Sequence, residues 1–304
     1  MGAEQLPLAG MPQRLYTCTP SRLNAWLDCP RRYRMTYLDR PSPPKGPPWA
    51  HNSLGASVHN ALAAWWRLPR SERTPETAGR LLVRGWLTEG FRDAEQSDRY
   101  RERAREMVER YVARLDPDDE PVGVERTVAT RTDRIAVSGR IDRLDDRGAE
   151  LVVVDYKTGR HVLTADDARG SMALALYALA ASRVLRRPCR RVELHHLPSG
   201  EIAVWEHTDE SLARHLRRAE QIAAEAAAAD EAYRTRLRDA VPRQRRSEQR
   251  HGGDDAVTVE HGPYDEHFPP RPGNLCAWCD YLRHCPEGRQ AAAPKEPWAA
   301  LPED

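Results

Sequence analysis

Residues 138–159 read SGRIDRLDDRGAELVVVDYKTG. Two β-type stretches flank the turn-forming run Asp145-Asp146-Arg147-Gly148, so the segment reads as a hairpin. Asp155 and Lys157 stand two residues apart and project from the same face of a strand. Asp142 lies on the preceding strand. A turn centred between Arg147 and Gly148 sets Asp142 opposite Val153, which makes Asp142 and Asp155 diagonal neighbours roughly 7–8 Å apart.

Two carboxylates at that separation converge on one hard divalent cation, with an ammonium beside it. Those are the parts that phosphodiester cleavage requires: a metal that polarises the phosphate and lowers the pKa of a bound water, and a cation that stabilises the growing charge. An Asp-x-Lys taken alone is more often an exposed ion pair. Two features argue otherwise. The apolar run Val152-Val153-Val154 marks a buried strand, so Asp155 ends a core element. And of the 47 basic residues only Lys45, Lys157 and Lys295 are lysine, two of them in proline-rich loops. A lysine at the end of a core strand, in a chain that uses arginine elsewhere, points to a need for a compact, titratable ammonium.

Outward from the hairpin, the 304-residue chain is long enough for one large domain with additions. The period indicates helices over 20–38 (interrupted near Cys29-Pro30), 54–67, 76–92, 96–115, 167–186 and 209–238, with a second hairpin around Pro198-Ser199-Gly200. RQRRSEQRHGGDD, residues 243–255, reads as a mobile loop. The layout is α/β (α+β), a small central mixed sheet flanked by helices. The expected organisation is an irregular tail over 1–18, one domain over 19–288 and a flexible tail over 289–304. Within the domain a helical part spans about 54–118, the sheet core about 122–208, and a long helix and cysteine loop about 209–288. No apolar run approaches the ~20 residues of a membrane span, and the first residues lack the pattern of a secretory leader. The expected compartment is the cytoplasm, where clustered cysteines suggest metal rather than disulfides. The net charge of +1 excludes a uniformly basic surface, so nucleic-acid binding needs a local patch.

Three of the six cysteines crowd into LCAWCDYLRHC: Cys276, Cys279 and Cys285, spaced C-x2-C-x5-C. A tetrahedral metal or an iron–sulfur cluster takes four such ligands. Cys18, Cys29 and Cys189 remain for the fourth, and zinc and a cluster are both open.

GRIDRL and VVVDYKTG, taken with LGASVHNAL upstream and ALALYALA downstream, resemble the RecB-type branch of the PD-(D/E)XK nuclease superfamily, including AddB-type nuclease domains. The resemblance implies a restriction-endonuclease-like core and a metal-dependent deoxyribonuclease of exonuclease type in DNA repair or recombination. It implies Asp142 and Asp155 as ligands to Mg²⁺ or Mn²⁺, joined by His59 and the Tyr156 carbonyl, with Lys157 and Tyr177 catalytic. On its own, His59 in the stripe Gly55, His59, Leu62, Trp66 would read as packing. The family's glutamine before the tyrosine is here Ala173, a departure that motivates a second reading: a weakly active or inactive DNA-binding subunit that keeps the fold. Some members hold a 4Fe-4S cluster with one distant cysteine in a Cys-Pro-x-x-Tyr context. That implies Cys29 with Cys276, Cys279 and Cys285 in an iron–sulfur staple joining the chain's ends, with Cys18 and Cys189 as bystanders. A zinc-stapled interaction protein is a third reading. The expected partner is DNA, single-stranded or with free ends. The chain has no phosphate-cradling G-x-x-x-x-G-K-[ST], so a helicase would act in trans. Among the arginines near the site (Arg31, Arg32, Arg34, Arg140, Arg143, Arg160), Arg31, Arg32 and Arg160 are the DNA-contact candidates. Glu125 reads as a surface residue.

Overall fold

The computed structural model describes residues 15–248 and 266–301, with backbone alone for 238–248. The first element among the described residues is strand β1 (Tyr16–Cys18), which pairs in parallel with 135–137, so 16–18 are not part of an irregular tail; the rest of the tail expected over 1–18 lies, up to residue 14, outside the described residues. Helices α1 (Pro20–Asp28) and α2 (Pro30–Tyr37) follow, separated by Cys29 in extended conformation. Thr19 caps α1, its hydroxyl accepting the Arg22 N–H at 3.1 Å, and Pro30 opens α2 where its missing N–H costs nothing.

Helices α3 (Ala50–Trp66), α4 (Pro75–Arg84) and α5 (Ala94–Val112) form one layer. The helix expected over 76–92 stops at Arg84. Beyond Gly85 the Leu87 N–H turns to Ser57 Oγ at 3.0 Å, and Gly90, at φ +84°, lies against the backbone of Pro48 and Ala50, where a Cβ has no room. Strands β2 (Gly123–Arg131), β3 (Ile135–Asp146) and β4 (Leu151–Lys157) come next. Then follow α6 (Ala165–Gly170), α7 (Met172–Leu185), the hairpin β5 (Arg191–His196) and β6 (Glu201–Glu206), and α8 (Asp209–Glu248). The mobile loop expected over 243–255 is helical through Glu248; its remainder lies outside the described residues. Two 3₁₀ turns (Asn274–Trp278 and Leu282–His284) and α9 (Pro286–Ala291) carry the clustered cysteines. The segment after α9 is packed rather than a loose tail: Leu301 is buried with the α3–α5 core, and the Ala50 N–H donates to the Pro297 carbonyl at 3.1 Å.

The six strands form one mixed sheet in the order β1-β3-β4-β5-β6, with β2 on β3. β4 is buried on both faces. Val152, Val154 and Tyr156 pack with α3 and α5, whereas Leu151 and Val153 pack with α7. At ~1.5–3 kcal/mol for burying an aliphatic side chain, this apolar run anchors the strand that carries the site. β1, α1 and α8 enclose a third apolar cluster around Leu176 and Phe268.

The turn between β3 and β4 is one step longer than expected. Arg147 N–H donates to the Glu150 carbonyl at 3.0 Å, and the ladder pairs Arg143 with Val154 and Leu144 with Val153. Asp142 and Asp155 are therefore next in register, not diagonal neighbours. The other edge of β3 pairs with β2 over 136–144, interrupted at Asp142, and the edge shared with β4 is divided: β1 covers 135–137 and β4 covers 143–146. Among the described residues no strand pairs with 138–142 on that edge.

A polar cluster outside this gap supports β5. His195 lies between Tyr111 Oη (2.8 Å) and Glu193 (2.9 Å), and Arg191 and Arg147 also bind Glu193 at 2.7 and 3.0 Å. Burial opposes ionisation of Glu193, but His195, Arg191 and Arg147 more than offset it and hold the carboxyl down at about 2. A depressed carboxyl stabilises the fold above its unfolded value, and that contribution disappears as the pH falls through the folded value. The shift from 4.5 to about 2 corresponds to ~3 kcal/mol at neutral pH. Glu193→Gln is expected to lower stability at pH 7 and to flatten the acid limb of the urea-unfolding profile between about 4.5 and about 2. An unchanged acid limb would show that Glu193 is not the linked group.

Candidate active site

The gap in the β3 edge places the acidic residues. Where the ladder ends, the Tyr156 N–H donates to Asp142 Oδ2 at 2.8 Å, so a side-chain oxygen takes the place of a backbone acceptor. This fixes Asp142 and leaves its Oδ1 facing His59, whose Nδ1 is 3.4 Å away. His59 reaches the site from α3, its ring edge-on to Tyr156 at 5.8 Å. On β4, Lys157 Nζ lies 2.5 Å from Asp155 Oδ2. The structure thus sets His59 against Asp142 and Lys157 against Asp155. The Tyr156 ring is buried against Trp66 and Arg143.

Glu125 corrects the surface reading. It lies within β2 between Val124 and Arg126, whose partners Arg143 and Ile141 flank Asp142, and its ligand atoms with those of His59 and Asp142 all fall within 4.8 Å of one another. Its side chain is 14% exposed and pairs with the exposed Arg140 at 2.7 Å. Its φ of +49° is unusual for a non-glycine residue within a strand. The turn Thr132–Ile135 was the available signal: pairing outward from its centre, between Asp133 and Arg134, sets Glu125 opposite Asp142.

The electrostatics follow from this crowding. Burial raises the pKa of Asp155, with Asp142 adding to the rise and Lys157 opposing it. Burial raises Glu125 as well. For His59, burial disfavours the imidazolium, but the adjacent Asp142, with Asp155 and Glu125 behind it, outweighs burial and raises the pKa. Each of these shifts opposes the ionised carboxylates and neutral imidazole that a divalent cation takes as ligands, so cation binding would reverse them.

Tyr177 packs over Gly139, where a Cβ would collide with its ring. Its hydroxyl is pushed up to about 12 by burial, then by Asp155 and Asp142, so it is a neutral O–H beside the carboxylates. Ala173 sits one turn earlier on α7 and offers no donor there.

The DNA-contact candidates separate. Arg31 is 3% exposed, pairs with Glu287 at 2.5 Å and lies 3.8 Å from Cys285 Sγ. It belongs to the cysteine site, which corrects its reading as a DNA contact. Arg32 is partly exposed and pairs with Asp28 at 3.4 Å. Arg160 is exposed beside Lys157. Arg143 is buried under Trp66 and Tyr156 and paired with Asp145 at 2.8 Å, a structural role.

Cys29, Cys276, Cys279 and Cys285 line one cavity, although Cys29 is far from the others in sequence. Cys18 and Cys189 are buried in separate apolar clusters. Backbone N–H groups surround the thiols: Arg271 N lies 3.5 Å from Cys29 Sγ and Gly288 N 3.4 Å from Cys285 Sγ.

The profile of the PD-(D/E)XK nuclease superfamily matches residues 17–286, which takes in the β2–β4 core, α3 and the cysteine loop. The chain belongs to the PD-(D/E)XK nuclease superfamily. Membership implies a nucleic-acid substrate and a hydrolytic nuclease activity, and PD-(D/E)XK nucleases use divalent metals. Among solved structures, the chain is similar to the crystal structure of a protein named "Putative exonuclease" from Eubacterium rectale. The two are 10% identical with a TM-score of 0.44, and the match covers 72% of this chain and 82% of that one. No curated protein matches the chain. Among the described residues no helix is long and apolar enough to cross a membrane.

For a PD-(D/E)XK nuclease, the donor set of His59, Glu125 and Asp142 beside Asp155 fits a hard divalent cation. Glu125→Gln is expected to weaken Mn²⁺ binding about tenfold by calorimetry, the scale of losing one ligand-shell group. Unchanged affinity would return Glu125 to the role of an ion-pair partner for Arg140.

Proposed function

We propose that the protein is a metal-dependent deoxyribonuclease of the RecB exonuclease type, acting on DNA ends in repair or recombination. Its single strand would be supplied by a helicase in trans. The observation that carries the reading is the convergence of Asp142, Asp155 and Lys157 at the gap in the β3 edge. Asp142 and Asp155, with His59 and the Tyr156 carbonyl, would hold Mg²⁺ or Mn²⁺. When bound, that ion supplies Lewis-acid polarisation of the phosphate and a water of lowered pKa. Asp142, pinned by the Tyr156 N–H, keeps its second oxygen directed at the site. Lys157, held against Asp155, places an ammonium where charge develops on the phosphate oxygens. Tyr177 stands beside the carboxylates as a neutral hydroxyl able to donate to a substrate oxygen.

The alternative, a DNA-binding subunit without activity, rests on Ala173 in place of the family glutamine. One set of variants separates the two. Asp155→Asn is expected to abolish cleavage of end-labelled DNA with Mn²⁺ while retaining DNA affinity, since phosphate contacts dominate binding. Lys157→Arg is expected to lose ~10²-fold in rate, because a planar guanidinium does not replace a compact ammonium. Near-normal turnover in either variant would refute the assignment of that residue.

The four-cysteine cavity, with three candidate ligands in one loop and the fourth far upstream, supports a 4Fe-4S cluster over zinc. The N–H groups directed at Cys29 and Cys285 match the hydrogen bonds that tune cluster sulfurs. Protein purified without oxygen is expected to be brown with about four iron atoms per chain. Cys29→Ala should lose that iron as completely as Cys279→Ala, and Cys18→Ala should keep it. Zinc without iron, or iron retained in Cys29→Ala, would overturn the cluster.

A further inference from the structure

We propose that the cleft beside Lys157 carries a single nucleic-acid strand past the active site, with Arg103, Arg110 and Arg160 on its phosphates. This rests on the nuclease reading above and adds to it the path of the strand and the residues that hold it.

The cleft measures about 910 Å³ and is built from α3, α5 and the loop that follows β4. Its floor is the run Lys157–Arg160, so it opens directly onto the proposed catalytic lysine. The floor is fixed from below. His196, buried at 3% exposure, lies with Nε2 2.7 Å from the Gly159 carbonyl and Nδ1 2.7 Å from Ser199 Oγ. The carbonyl can only accept, so Nε2 carries the proton and Nδ1 accepts from the serine. The Leu197 N–H also donates to the Lys157 carbonyl at 2.9 Å. Arg160 is thereby presented on a loop that has little freedom left to lose on binding. The far wall is the C-terminal segment at Ala300 and Leu301, anchored in the α3–α5 core.

Charge and surface select the occupant. Lys157, Arg103, Arg110 and Arg160 line the cleft against one carboxylate, Glu106, itself 3.5 Å from Arg110. Arg103 and Arg110 are seven residues apart on α5, about 10 Å along the axis. That span matches roughly three phosphates at the ~3.4 Å per-strand rise of stacked nucleic acid. Between the cations the lining is apolar, with Leu54, Met107 and Pro198. A duplex offers phosphates alone to such a surface, because its bases are turned inward. An unpaired strand offers phosphates to the arginines and base faces to the apolar centre, the combination that single-strand sites use. A cleft of about 910 Å³ holds a few nucleotides of one strand.

The test separates binding from cleavage. Fluorescence anisotropy of a labelled oligothymidylate is measured in Ca²⁺ across a salt series, using Asp155→Asn protein so that the strand survives. Arg103→Gln/Arg110→Gln is expected to weaken binding at least tenfold and to reduce the slope of log affinity against log salt by about 1.4, the value for two single-strand phosphate contacts. Arg84→Gln, exposed on α4 outside the cleft, should change neither. Binding of a blunt duplex should fall less than threefold in the double variant. Unchanged strand affinity and slope would overturn the cleft as the path. An equal loss for strand and duplex would overturn the single-strand assignment. A protein that never cleaves with Mg²⁺ or Mn²⁺ but shows the predicted charge dependence would retain the cleft and refute the nuclease reading.

Discussion

The hydrogen bond from Tyr156 N–H to Asp142 Oδ2 is the interaction on which the site depends. A central sheet ordinarily satisfies every backbone group along its ladder. Here β3 and β4 stop pairing one residue before the acids, and the carboxylate of Asp142 takes over the unpaired N–H. The break is tolerated because β1 and β4 divide the edge of β3 between them, and because the buried valines of β4 hold that strand from both faces. What results is a pocket at mid-sheet into which β2, β3, β4 and α3 each deliver a ligand-type side chain. Gly139 in the same unpaired stretch leaves room for Tyr177.

The cysteine region bears on that arrangement through α3. The Asp280 carbonyl accepts the Gly46 N–H at 2.8 Å, Asp280 Oδ1 accepts from Trp49 Nε1 at 2.9 Å, and Trp49 packs on Trp278 at 5.2 Å. The loop between Cys276 and Cys285 therefore grips the start of the helix whose later turn carries His59. The proposed cluster, closing so long a loop, would be worth ~5 kcal/mol in the chain-entropy account. Beyond global stability, it would help fix where α3 begins and so where His59 meets Asp142.

Much of this was legible in the sequence. The run Val152-Val153-Val154 ending in Asp-Tyr-Lys specified a buried strand with its polar end exposed to chemistry. Cys-Pro at 29–30 specified the break between two helices, and alternation around Gly200 specified the outer hairpin. The errors came where local patterns do not fix long-range geometry. The β3–β4 turn held one more step than its Asp-Asp-Arg-Gly suggested, which moved Asp155 into register with Asp142 without changing which residues meet. Glu125 was missed because an acidic residue in a half-exposed strand looks solvated until its cross-strand partner is known. Arg31 was misread because a cation next to a thiol site and a cation on a DNA surface have the same local sequence; only its burial against Glu287 and Cys285 distinguishes them. The strand at 16–18 is too short to carry a period of its own.

The central claim is that the carboxylate of Asp142 serves both the fold and the chemistry, and Asp142→Asn divides the two roles. The amide oxygen still accepts the Tyr156 N–H, so the fold should persist, whereas the negative charge directed at His59 and the proposed metal is gone. Single-turnover cleavage of end-labelled single-stranded DNA in Mn²⁺, measured beside thermal unfolding of the same preparation, tests this directly. The account predicts an unfolding temperature close to wild type and a rate at least ~10²-fold lower, the scale of losing one electrostatic contact to the transition state. A folded Asp142→Asn protein that cleaves at the wild-type rate would contradict it.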